Sequence, residues 1–249
     1  EAIRVLPEAE TPRASVALLF DYAACWATEI QPHGHDVDAL RRAMDCYGAA
    51  RSLGVDVDVI GPDEDPAPYK VLIIPGTVFV SDALVQKVCD SDTRCLVFAR
   101  SGSRAADFSI PSQLAPGSLQ RLLPLRVSAV DSMRRGAQRS FDWEDRPYAV
   151  ERWYETLETD LEPRLRLKDG SGLWYTHEGH HYLNGITSAD FSALVLEEML
   201  VEAKLPYEKL PEGLRLRRRG PLTFAFNFSP ETREFKPDNQ SLLLGHHSL

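Results

Sequence analysis

The stretch His177-Glu178-Gly179-His180-His181 has the spacing H-E-x-x-H. On a helix that spacing sets two imidazoles on one face to hold zinc, with the glutamate as general base. The flanks argue for a different backbone: Gly170, Gly172, Trp174 and Tyr175 precede the stretch, and Tyr182, Asn184 and Gly185 follow it. Extended runs joined at Glu178-Gly179 describe a β-hairpin, on which His177 and His181 do not converge. His33-Gly34-His35-Asp36 is another cluster of metal-ligand types, but it lies in a loop where Asp36 is placed to cap the next helix. The His246-His247 pair is weaker still, so the sequence implies no metal and no other cofactor. Phe98-Ala99-Arg100-Ser101-Gly102 follows an apolar run, where a sharp turn in an α/β sheet would expose a nucleophile. Ser101 or Ser103 would serve, but the form G-x-S-x-G is absent and no histidine stands in an evident relation to either. The competing reading is an ordinary turn whose serine and glycine contact backbone.

The elements that would position these residues follow from periodicity. Ser15–Phe20 is a continuous apolar run suited to a strand covered on both faces. The pattern predicts a helix from an Asp36 cap to about Leu53, with Gly54 at its stop. Strands at Val55–Ile60, Tyr69–Pro75 and Arg94–Ala99 follow, with a short helix from Ser81 through Val88 before the last of them. This order is that of a doubly wound α/β domain with a parallel sheet. Helical turns are expected in Ser118–Leu123, and extended segments dominate from Arg126 to Ile186. Among these are Leu165–Lys168, Leu173–Thr176 and His181–Ile186, and a capped helix returns at Ser188. Leu205–Gly213 reads as a linker, and Leu214–Arg219 and Leu222–Phe228 as strands. The expected division is a linker over 1–14, an α/β domain over 15–205 and a small β domain over 206–249.

Composition narrows the function classes. The 249 residues carry 28 Lys+Arg against 37 Asp+Glu, a formal charge of −9, which argues against a nucleic-acid backbone as main partner. The basic run Arg215–Arg219 alternates into a strand and reads as a solvated face or an intersubunit ion-pair stripe. No apolar run approaches the ~20 residues of a membrane span. Cys25, Cys46, Cys89 and Cys95 form no C-x-x-C and read as buried free thiols of a cytoplasmic protein. The aromatic clusters Phe141–Trp143, Trp153-Tyr154 and Trp174-Tyr175 suit a core or interface as well as a sugar-stacking surface. The length matches a bare (β/α)₈ barrel of ~250 residues, but the long extended stretch leaves no room for eight strand–helix units.

A resemblance adds to this. The segment from the first strand to Asp36 contains Phe20-Asp21-Tyr22, Trp26, Glu29 and Gln31-Pro32 followed by Gly34. With Tyr69–Gly76, Ser81–Leu84, Arg100–Gly102, Asp107-Phe108, His181–Leu183 and Leu210–Phe228, it resembles the region after the catalytic barrel in family 42 glycoside hydrolases, the β-galactosidases. His33 stands where that family's pattern has Gln. The resemblance implies a trimerisation domain similar to class I glutamine amidotransferases, which are flavodoxin-like, followed by a small C-terminal β domain. In amidotransferases the strand-to-helix turn carries the cysteine nucleophile, and Arg100 takes that position here. Guanidinium stays protonated and cannot attack a carbonyl. A retaining glycosidase needs two carboxylates ~5–5.5 Å apart, and the resemblance places both in the barrel, outside this chain. It implies a non-catalytic region whose partners are its own copies, as a homotrimer, and the parent's barrel. Tyr22, Trp26, Glu29, Gln31 and His33 are the residues expected at the interface or a neighbour's active site. An independent amidotransferase- or peptidase-like hydrolase, a zinc protein and a carbohydrate-binding module are the alternatives.

Overall fold

Four-residue apolar runs buried along their whole length, VALL at Val16–Leu19 and VLII at Val71–Ile74, form the centre of the molecule. In this computed structural model, which describes residues 12–34, 37–219, 222–235 and 242–244, the chain runs β1 (Val16–Leu19), α1 (Tyr22–Ile30), α2 (Ala39–Ser52), β2 (Val57–Ile60), β3 (Val71–Ile74), α3 (Asp82–Cys89) and β4 (Arg94–Phe98). A 3₁₀ turn at Gly117–Arg121 precedes β5 (Arg126–Ser132), β6 (Gln138–Trp143), β7 (Arg146–Glu158), β8 (Leu165–Arg166), β9 (Gly172–His177), β10 (His180–Leu183) and β11 (Gly185–Thr187). Then come α4 (Ala189–Glu202), β12 (Leu214–Arg219), β13 (Leu222–Asn227), β14 (Arg233–Phe235) and β15 (Leu242–Leu244).

The main sheet has the order β2-β1-β3-β4-β10-β9-β8. Its strands are parallel from β2 through β10, and β9 and β8 close the edge antiparallel. Alternation along the strands sorts the core into layers. Val16, Leu18, Val71, Ile73, Leu96 and Phe98 pack with Ala43, Cys46 and Ala50 of α2 and Phe191, Val195 and Met199 of α4. Ala17, Leu19, Leu72, Ile74, Cys95 and Val97 face Leu84, Val85 and Val88 of α3 on the other side. The doubly wound fold expected from the sequence is the fold observed. A second, antiparallel sheet of order β11-β7-β5, with β6 also paired to β7, stands beside it.

Several local expectations are corrected. The cap of α2 is Asp38, whose side chain accepts from the Arg41 N–H; Asp36 lies outside the described residues, as do His35 and the His246-His247 pair. Helix α1 was not expected, and it starts on Asp21, which accepts from the Ala23 N–H. His181–Ile186 is not one strand: β10 joins the main sheet and β11 the second. The break falls at fully buried Asn184, whose Nδ2 donates to the carbonyls of Glu155 and Gly172 and ties the sheets together. Cys25, Cys46 and Cys95 are buried free thiols, but Cys89 is exposed. Phe141, Trp153, Tyr154, Trp174 and Tyr175 are core residues and not a stacking surface.

Candidate functional site

The loops leaving the carboxyl ends of β1, β3 and β4 open onto a cleft of about 440 Å³ walled by β5 and β7. This edge is where α/β sheets of this kind bind ligands. From the segment after β1 come Thr28, Gln31 and His33, from the turn after β4 come Arg100, Ser103 and Arg104, and from β7 come Trp153 and Glu155. The cleft therefore brings together Gln31, His33, Arg100 and Ser103 of the residues singled out in the sequence.

Arg100 has φ 77°, the left-handed region that non-glycine residues avoid. A nucleophile-bearing turn needs a backbone of this strained kind, so the turn keeps the geometry although its sequence pattern is absent. Its peptide N–H donates to Glu155 Oε1 at 2.8 Å, and its guanidinium lies 4.9 Å from the Trp153 ring centre. Burial pushes the Arg100 guanidinium down to about 10, with Glu155 opposing, so it stays charged at neutral pH. Ser101 is fully buried and its hydroxyl donates to the Phe98 carbonyl at 2.7 Å, which is the ordinary-turn reading. Ser103 lines the cleft, but the nearby imidazole is occupied, because His33 Nε2 is 2.8 Å from Arg104 Nη2. Burial, with Arg104 and Arg100 adding repulsion, pushes the His33 pKa down, so the ring is neutral and accepts from Arg104.

Glu155 is the site residue that the sequence reading missed. It is 1% exposed and accepts from Tyr182 Oη at 2.6 Å and Trp153 Nε1 at 3.1 Å as well as from the Arg100 N–H. Burial raises its pKa, while these donors and Arg100 hold it down. The signal in the sequence was a carboxylate on a strand between Trp153-Tyr154 and Leu157, where buried neighbours predict a required partner.

Tyr22, Trp26 and Glu29 do not reach the cleft. They lie on the outer face of α1 with Ile30, and Tyr22, Trp26 and Ile30 are 67%, 60% and 70% exposed. The inner face of α1 buries Ala24, Cys25, Ala27 and Thr28. The helix thus turns its small residues inward and its large apolar ones outward.

The H-E-x-x-H stretch is the expected hairpin. Glu178 (φ 48°) and Gly179 (φ 82°) form its turn, and His177 pairs with His180 across it. His181 is fully buried and its Nε2 lies 2.9 Å from Glu202. Among the described residues no group of three or more His, Cys, Asp or Glu is placed to hold a metal ion. No helix among them is long and apolar enough to cross a membrane. In the basic run, Arg217 pairs within the chain to Asp56 at 3.3 Å.

Known proteins match this arrangement. A β-galactosidase of a Thermus species is 37% identical over 245 residues, covering 98% of this chain and 38% of its own length. A Thermus thermophilus β-galactosidase is 37% identical over 233 residues, covering 94% of this chain and 36% of its own. The chain therefore spans less than two-fifths of the length of these relatives. The crystal structure of β-galactosidase from the psychrophile Marinomonas ef1 superposes with TM-score 0.88 at 30% identity, over 98% of this chain and 38% of that one. The enzyme of the Antarctic haloarchaeon Halorubrum lacusprofundi gives TM-score 0.88 at 26% identity, over 98% of this chain and 40% of that one. Residues 14–164 match the protein family described as the β-galactosidase trimerisation domain, a description that implies homo-oligomerisation. On that match the chain belongs to the trimerisation-domain family of the family 42 β-galactosidases.

Proposed function

We propose that this chain assembles a cytoplasmic homotrimer in which residues 15–205 form the assembly domain and 206–249 a small β domain packed on it. The hydrolysis of terminal β-galactosides belongs to a catalytic barrel outside these residues, and the chain alone is not catalytic. The outer face of α1, with Tyr22, Trp26 and Glu29, meets the neighbouring subunit, and Gln31 and His33 at the rim of the cleft contribute to that contact or to the neighbour's active site. One observation carries this reading: α1 exposes Tyr22, Trp26 and Ile30 while it buries alanines and a threonine. A free helix does the reverse, and clustered aromatic exposure marks an interface. A ring of three needs a heterologous contact that closes, and one outward helix per protomer can supply half of it.

Light scattering tests this. The chain is expected to have about three times the mass of its Trp26→Asp variant; equal masses overturn the assignment of α1. The strained turn at Arg100 is the one feature favouring an independent hydrolase. That reading predicts hydrolysis by the chain itself, lost in Ser103→Ala. The assembly reading predicts no hydrolysis of a chromogenic β-galactoside or of a glutamine amide by this chain.

A further inference from the structure

Arg42, Arg51 and Arg100 are buried to 8%, 7% and 6% exposure. Arg51 is satisfied: it donates to the carbonyls of Val55 and Leu216 and pairs with Asp56. Arg42 and Arg100 differ. Arg42 Nη2 and Arg100 Nη1 are buried without a hydrogen-bond partner among the described residues. Both side chains line one cavity of about 10 Å³, which Thr28, Ala39 and Gly76 help to close. Helix α2 begins at Ala39 beside the same space, with its N-terminal end capped by the Asp38 carboxylate.

The charges around the cavity do not balance. Glu155 faces Arg100, but its oxygens already accept from Tyr182, Trp153 and the Arg100 peptide. Arg42 stacks 5.3 Å from the Phe98 ring centre, with no carboxylate of the described residues in ion-pair contact. Its charged surroundings are Asp45 on its own helix and the repelling Arg152, while Arg104 and Arg42 both repel Arg100. A buried cation is strongly disfavoured unless it is paired. A cavity of this size holds one water-sized particle. A water would satisfy the N–H groups but leave the charge of Arg42 uncompensated, since Glu155 offsets only that of Arg100, and a carboxylate or phosphate has more atoms than the space admits.

We propose that this cavity binds one monovalent anion of halide size, chloride in ordinary solution, between the guanidiniums of Arg42 and Arg100 at the start of α2. The anion ties the turn after β4 to the helix after α1 and so stiffens the floor of the cleft. The site stands on its own geometry and is independent of the assembly reading. Thermal unfolding of the chain tests it at neutral pH and constant ionic strength, with chloride or bromide replacing gluconate, which is too large to enter. Both halides are expected to raise Tm by roughly 2–4 °C and to saturate, and Arg42→Met to abolish the difference between anions. Equal Tm values in gluconate and chloride overturn the proposal. Bromide-soaked crystals give a second readout that needs no variant: an anomalous peak between the two guanidiniums is expected, and its absence overturns the site.

Discussion

His180 shows how much one hydrogen bond decides about a histidine. Its Nδ1 accepts from the Cys95 peptide N–H at 3.1 Å, and an imidazolium could not accept it. Burial accordingly pushes its pKa down to about 4. The folded pKa lies below the unfolded one of about 6.5, so the unfolded chain binds the extra proton between those values. Stability is then whole above about pH 6.5, falls as the pH drops, and stops falling from this source near pH 4. The loss is on the order of 2 kcal/mol for a group held this way. Urea unfolding across this range is expected to show that slope in the natural chain and a shallower one in His180→Asn, which keeps an acceptor for Cys95. Neighbouring residues show what sequence alone conveys at this scale. Ser101 was legible as a backbone-contacting serine. The strain at Arg100 was not, because glycine spacing reports a turn's close approaches and not its chemistry. Gly102 is glycine because a Cβ there would lie 2.1 Å from the Pro116 carbonyl oxygen, at φ 62°.

Among the elements, the β9–β10 hairpin was readable from Gly179 and the extended flanks, and α1 was not. Helix periodicity is detected when apolar residues gather on the buried side. In α1 they gather on the outside and the small residues Ala24, Cys25, Ala27 and Thr28 point in, so no apolar face announced a buried helix, although Tyr22, Trp26 and Ile30 recur at helical spacing. The helix cap moved for a related reason: Asp36 and Asp38 both suit the role, and only the contact to Arg41 selects Asp38. The hairpin supports a sharper test. Both turn residues have positive φ, the demand of a type I′ turn, which asparagine meets more readily than glutamate. Glu178→Asn is expected to stabilise the chain by about 0.5 kcal/mol in denaturant titrations. Gly179→Val, with a strained φ and a Cβ only 3.0 Å from Arg94 Nε, should destabilise by more than about 1 kcal/mol. Added zinc should shift neither midpoint, and a zinc-dependent rise would restore a metal role for the stretch.

For the whole molecule, the question is what holds the segment from Pro206 and the β12–β13 hairpin against the α/β layers. Proline spacing suggested a linker from Leu205 to Gly213, but a linker's tethers are long-range and leave no local pattern. Here the peptide N–H groups of Glu208 and Leu210 bond to the carbonyls of Leu53 and Ser52, at the end of α2. Beside them Arg51 reaches across to the Leu216 carbonyl on β12 while holding Val55 and Asp56. One buried guanidinium therefore clamps the hairpin, the linker and the α2–β2 corner together. Arg51→Met removes a charged donor from acceptors that stay buried, a loss of about 2–4 kcal/mol. Because 1.4 kcal/mol is a factor of ten, chymotryptic cutting at Tyr207 should quicken at least tenfold in that variant, leaving a folded α/β core detectable by circular dichroism. Arg217→Ala makes the matched control: Arg217 shares Asp56 but is 41% exposed, and a solvent-screened pair contributes under about 1 kcal/mol. Its cutting rate should stay within a few-fold of the natural chain's. If both variants are cut equally fast, the clamp is not Arg51 and the hairpin is held by its apolar contacts through Leu214 and Leu216.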